Sequence, residues 1–281
     1  MLLFDRWGRT APILLGLGGV LAALSTGCGS SSTSATARVR GADFAVNGGT
    51  TGVLVNSTAV GGDLTFAQTS PYNYVGEGVS AFSFTTTAAS ATVTVGGTAT
   101  STVIPPNAKL QLNNGSYYTA YLIGRADVKP LTTTKPDPRF LQTVVAGDKG
   151  AAANYIPSTS GQTVVPYADP PSGQVNLRIL NAAPDAGPVD VLIGGKVAYS
   201  AVTYPVLLTG LPGSGVAAIN PVTPYAAQPS GPLSVQVNAA GTSTVLVPPT
   251  NVSVSGGGVY TLVVTEPDIT PNYGLTTESD G

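Results

Sequence analysis

Two stretches of the chain, 138 residues apart, carry the same order of apolar and turn residues, and this repetition constrains the fold more than any other feature. VLVNSTAVGGDLTF (Val53–Phe66) aligns without gaps on VLIGGKVAYSAVTY (Val191–Tyr204), and at the same offset RVR (Arg38–Arg40) falls on NLR (Asn176–Arg178). SPYNYVGEGVSAFSF (Ser70–Phe84) aligns on TPYAAQPSGPLSVQV (Thr223–Val237), STVIPP (Ser101–Pro106) echoes STVLVPP (Ser243–Pro249), and LQLNNGSYYTAYL (Leu110–Leu122) echoes VSVSGGGVYTLVV (Val252–Val264). Matches that keep one order through both halves argue for a duplicated unit of about 100 residues. The offsets place an insertion within Pro205–Pro232 of the second copy and extra length around Thr85–Thr100 of the first.

Within each copy the apolar residues alternate with period two, as in half-buried strands. Val175, Leu177 and Ile179 share a face, as do Ala91, Val93 and Val95, and Leu233, Val235 and Val237. NNG, SGGG and VNGG punctuate the chain at a spacing of about 8–12 residues, the rhythm of a sandwich. VAAINPVTPYAAQ, the most helix-like stretch after Cys28, is broken by two prolines. With 35 Gly and 23 Pro set in a chain that is 42% apolar, there is enough apolar content for a core and frequent turns to divide it. The expectation is an all-β protein: two tandem immunoglobulin-like antiparallel β-sandwich domains over residues 38–134 and 174–281, joined by a strap at 135–173.

The first 37 residues have a different character. Arg6 and Arg9 precede APILLGLGGVLAALS, an apolar run too short for the roughly 20 residues of a membrane-spanning helix. It reads as a signal peptide over residues 1–27. Leu24-Ser25-Thr26-Gly27-Cys28 resembles the lipobox of bacterial lipoproteins, with Ser25 in place of the more usual Leu and Leu24 one position further out. That resemblance implies cleavage before Cys28 and a lipid on it. It also implies a Ser/Thr-rich tether over 28–37 and a bacterial cell-envelope location at the outer membrane or cell surface. Two or three acyl chains give stable anchoring where one gives only marginal binding.

RILNAAPDAGPVDVLIGGK (Arg178–Lys196) resembles the repeat of the domain-of-unknown-function 4397 family, with Asn181 where His is usual and Ala183 where Ser is usual. Pro184, Asp185, Pro188, Val189, Asp190 and Val191 match the family pattern. In the first copy Asn47 stands for Asp185 and Gly52 for Asp190. The resemblance implies tandem β-sandwiches behind a lipoprotein signal and no established activity.

Other classes of function find little support. A net charge of −2 without a basic cluster gives no footprint for nucleic acid. With no His and one Cys, neither a Ser-His-Asp triad nor the usual zinc, copper or haem ligands can be assembled. The two aspartates of PDAGPVD, Asp185 and Asp190, are few for calcium, which takes 6–8 oxygens; Pro184, Asp185, Pro188 and Asp190 read as a structural turn. No cofactor is expected. Of the 12 tyrosines, Tyr72, Tyr74 and Tyr225 fall in predicted loops, where contact roles concentrate. Tyr117, Tyr118, Tyr121 and Tyr260 fall on predicted strands as core or cross-strand partners. The reading is a non-enzymatic, lipid-anchored envelope protein acting as a structural or interaction module, held to the membrane through Cys28. The alternative is a carbohydrate- or polymer-binding surface lipoprotein.

Overall fold

The structure is a computed structural model that describes residues 35–87, 93–95, 98–100, 102–104, 109–128, 139–148, 169–205, 222–268 and 272–280. The signal peptide, Cys28, most of the tether, much of the 135–173 strap and most of the Pro205–Pro232 insertion lie outside these residues.

The described chain is all β, as the alternation and turn spacing lead one to expect. In the first half, β1 (Thr36–Val46) runs parallel to β11 (Tyr117–Arg125), which pairs antiparallel with β12 (Gln142–Gly147). On its other side β1 pairs with the short strands β4 (Gln68–Thr69) and β5 (Asn73–Gly76). The opposing sheet runs β3 (Thr58–Leu64), β2 (Thr51–Val55), β6 (Gly78–Thr86), with β9 (Thr102–Ile104) and β10 (Lys109–Leu112) along the far side of β6. The extra length near Thr85–Thr100 holds a two-stranded hairpin, β7 (Val93–Val95) and β8 (Thr98–Thr100).

The second half has the same strand order. β13 (Gln174–Asn181) lies parallel to β19 (Val259–Thr265), with β20 (Gly274–Ser279) beyond and β16 (Ala226–Pro229) on the other side. Facing it are β15 (Lys196–Val202), β14 (Val189–Ile193), β17 (Gly231–Ala239) and β18 (Val245–Val254). The immunoglobulin constant arrangement sets its first strand beside its second, whereas here the first strand of each half lies parallel to a late one. Period-two patterning fixes the face a residue takes, not the strand that lies beside it.

The sequence places Gln142–Gly147 within the strap expected at 135–173, yet they form the edge strand β12. The first sandwich therefore runs past residue 134 to Asp148. The apolar patch Phe140–Val145 belongs to it: Leu141, Val144 and Val145 are buried, and Phe140 bridges to Arg125. Backbones approach closely at that bridge. Gly124 has φ +102°, and a β-carbon there would lie 2.4 Å from the Phe140 carbonyl oxygen, so only glycine fits.

Each sandwich has its own core. Val39, Val53, Phe82, Phe84, Leu110, Tyr118 and Leu122 fill the first, and Leu177, Ile179, Val191, Val235, Val237 and Leu262 the second. A third core lies between them. Ala42, Phe44, Tyr121, Ile123 and Val144 of the first half pack with Leu180, Ala182, Tyr204, Val222 and Val263 of the second. The β1 and β13 sheets are thus covered on both faces, and β1, β11, β13 and β19 are buried almost without interruption. The opposing strands β2, β17 and β18 keep the in–out alternation of a sheet with one wet face.

Candidate functional site

Polar side chains gather where the two sandwiches meet, and they are arranged in a pseudo-twofold way. Arg40 on β1 and Arg178 on β13 occupy corresponding positions 138 residues apart. Each points out of its own sandwich towards the other. Arg40 Nε donates to Thr119 Oγ1 at 2.8 Å, and Arg178 Nε donates to Thr261 Oγ1 at 2.7 Å. Each guanidinium then crosses to the carboxylate that ends the other sandwich. Arg40 Nη2 lies 3.1 Å from Asp280 Oδ1, and Arg178 Nη2 lies 2.6 Å from Asp148 Oδ1. The carboxylates are steadied from their own side: Thr119 and Tyr72 donate to Asp148 at 2.6 and 2.9 Å, and Thr261 and Tyr225 donate to Asp280 at 2.6 and 2.8 Å. The rings of Tyr72 and Tyr225 also lie under Arg40 and Arg178, each with the guanidinium carbon 4.6 Å from the ring centre.

All four charged groups are buried. Burial works against the charge on Arg178, but Asp280 and Asp148 outweigh it and hold the guanidinium well above its ordinary value. Arg40 is raised in the same way, with Asp148 the largest opposing influence. Burial raises the Asp280 carboxyl against the pull of Arg178. Burial also raises the Tyr72 and Tyr225 phenols, so both remain donors. The cluster is balanced and hydrogen-bonded throughout, the condition under which buried charges are tolerated. Chemically it is a clamp, since every carboxylate in it is already engaged by several donors.

The symmetry is broken at Thr69 and Glu278. Thr69 donates to Glu278 at 2.7 Å across the interface. The corresponding positions of the other copies hold Val222 and Ala146, both in the apolar interdomain core. Burial raises the Glu278 carboxyl.

The sequence motif of the second copy meets the first copy too. Asp185 accepts from Arg125 at 2.5 Å and from Arg139 at 3.2 Å, and its backbone N–H donates to Glu266 at 3.1 Å. Asp190 instead accepts the backbone N–H groups of Ala201 and Gly241, each at 2.8 Å, which hold its carboxyl below the usual range. Pro188 offers its carbonyl to Ala240, and Pro184 opens the turn that carries Asp185. Asn181 is fully buried and ties the same turn through Gly187, Val202 and Ala183. The two aspartates thus serve different partners and do not converge on a common ligand position. Among the described residues no group of three or more His, Cys, Asp or Glu is placed to hold a metal.

The loop tyrosines divide. Tyr72 and Tyr225 belong to the clamp, while Tyr74 is 69% exposed. Of the strand tyrosines, Tyr118 and Tyr121 are fully buried and Tyr117 and Tyr260 half-buried. An open groove of about 490 Å³ lies between the edges of the first sandwich, lined by Val60, Gly61, Gly62, Leu64, Gln68 and Asn73 among others. Gly61 pairs with Val53 as Tyr199 pairs with Val191. In the second copy Tyr199 is buried at this place, its hydroxyl bonded to the Leu177 carbonyl.

Residues 175–280 match DUF4397, a domain of unknown function. The DUF4397 match begins within β13 and ends on Asp280, so it takes in both Arg178 and the acid that reaches back to Arg40. None of the curated proteins matches the chain.

Proposed function

We propose that this chain is a non-enzymatic, lipid-anchored protein of the bacterial cell envelope, at the outer membrane or cell surface, in which two copies of one DUF4397 unit act together as a structural or interaction module. The observation that carries the reading is the Leu24–Cys28 stretch, placed between an apolar run and a Ser/Thr tract that ends where β1 begins. The clamp supports the second half of it: matched Arg, Thr, Tyr and Asp side chains in both halves fit a duplicated unit and lock the copies together. In fractionated cells the mature protein is expected in the envelope fraction, and Cys28→Ala is expected to abolish processing. A mature protein found wholly in the cytosol would overturn the reading.

The groove beside Gly61 favours a second reading, a carbohydrate- or polymer-binding surface lipoprotein. Its lining is uncharged and rich in amide and hydroxyl groups, which suits a neutral glycan. A β-carbon on Gly62 would meet nothing within 4 Å. Gly62→Phe therefore extends into open space, and on a glycan array it is expected to lose a signal that the unaltered protein gives. Silence from both proteins would remove this reading.

A further inference from the structure

The end of the first sandwich at which the chain enters carries features that the fold does not require. Ala35 accepts the Glu77 N–H at 3.0 Å, Thr36 pairs with Gly76, and the Gly115 N–H reaches the Thr36 carbonyl at 2.8 Å, so these turns mark that end. Tyr74 and Val79 stand there, 69% and 52% exposed. They are the exposed large hydrophobics of the first half among the described residues. Arg38 lies beside them, its guanidinium carbon 5.1 Å from the Tyr74 ring centre and 4.8 Å from that of Tyr117. It donates to the Tyr74 hydroxyl at 3.2 Å and to that of Tyr117.

The second copy builds the same end of the same sandwich without any of this. Asn176 stands for Arg38, Ala227 for Tyr74, Pro232 for Val79 and Val259 for Tyr117. Tyr117 packs edge-on against Tyr72, with ring centres 5.1 Å apart, and so belongs to the fold; the exposed Tyr74 and Val79, replaced by Ala227 and Pro232, answer to something else. The feature peculiar to the first copy is its nearness in sequence to Cys28. Arg38 follows that residue by ten positions, a span of at most about 35 Å.

We propose that this end of the first sandwich rests on the lipid headgroup layer. Tyr74 and Val79 enter the interface, and the Arg38 guanidinium, held by the two phenols, faces headgroup phosphate. Amphipathic tyrosine and a phosphate-matching guanidinium suit that layer. With Glu77 the other charged side chain at these turns, the contact depends on interfacial chemistry more than on net charge. The proposal rests on the lipid at Cys28.

The lone tryptophan, Trp7, lies in the expected signal peptide, so the mature protein has none and a new one reports alone. Tyr74→Trp, Val79→Trp and Val197→Trp would each be purified as the mature lipidated protein and reconstituted in phosphatidylcholine vesicles, with and without headgroup spin label. Val197 is 57% exposed in the second sandwich and serves as the control. Both variants of the first sandwich are expected to lose most of their emission to the spin label, and Val197→Trp to keep its own. Emission unchanged in all three, or reduced equally, would overturn the contact. The intact mass of the same samples reports acylation separately, so a missing lipid is distinguished from a missing contact.

Discussion

Asp148→Leu is expected to destabilise the protein by about 3–5 kcal/mol, the usual cost of leaving a buried charge without its partner. Asp148 accepts from Arg178, Thr119 and Tyr72 at 2.6–2.9 Å and is fully buried. Without it the Arg178 guanidinium keeps only Asp280, at 3.4 Å, as an ionic partner. Arg178→Met removes the other half of the pair and should cost a similar amount. The double variant should cost clearly less than the two single changes together, because no orphan charge remains. Urea unfolding of the four proteins reads this directly. Added salt should change the coupling little, since screening acts mainly on exposed pairs. Additive losses would mean that the clamp is not a unit.

Asp43→Asn should stabilise the protein at pH 8 and leave it nearly unchanged at pH 4. Asp43 is fully buried on β1 without a cationic partner among the described residues, and burial raises its carboxyl to about 6 despite donors from Ala45 and Thr51. A carboxyl whose pKa is raised on folding contributes stability that is complete below its unfolded pKa and lost as pH rises through the folded one. From an ordinary value of 3.8 to about 6, the loss amounts to as much as about 3 kcal/mol. Glu278, Glu266 and Asp280 are also raised, so the full pH profile is a sum. The difference between the two proteins isolates Asp43. The second copy has already made the exchange: Asn181 corresponds to Asp43, accepts the Ala183 N–H as Asp43 accepts that of Ala45, and donates its amide to the Val202 carbonyl. Thermal or urea unfolding from pH 4 to 8 measures the difference, and parallel curves would contradict it.

The β class and the strands were legible because alternation and turn residues are local signals. A shift of 138 residues carries β1, β2 and β3 onto β13, β14 and β15. The interface between the halves was not legible. Alternation marks one face of β13 as apolar and leaves Asn176, Arg178 and Leu180 on the other, which a single domain would leave wet. Only the second sandwich buries it. A signal was present: in a chain with 9% charged residues, an arginine recurs at corresponding positions in RVR and NLR. A recurring surface charge in so uncharged a chain points to a partner. Asp148 and Asp280 were harder, because each follows an edge strand whose place in the sheet no local pattern specifies. Tyr72 and Tyr225, which the sequence places in loops suited to contact, were hidden for the same reason, since a loop in sequence can lie beneath a buried guanidinium in space.

The proposed lipid at Cys28 would hold the two interlocked sandwiches at the membrane. The measurement that tests it most directly is the intact mass of the protein from a membrane fraction, with Cys28→Ala beside it. The expected product begins at Cys28 and is heavier than its polypeptide by two or three acyl chains, and Cys28→Ala does not give it. A product of plain polypeptide mass, the same with or without the cysteine, would contradict the proposal.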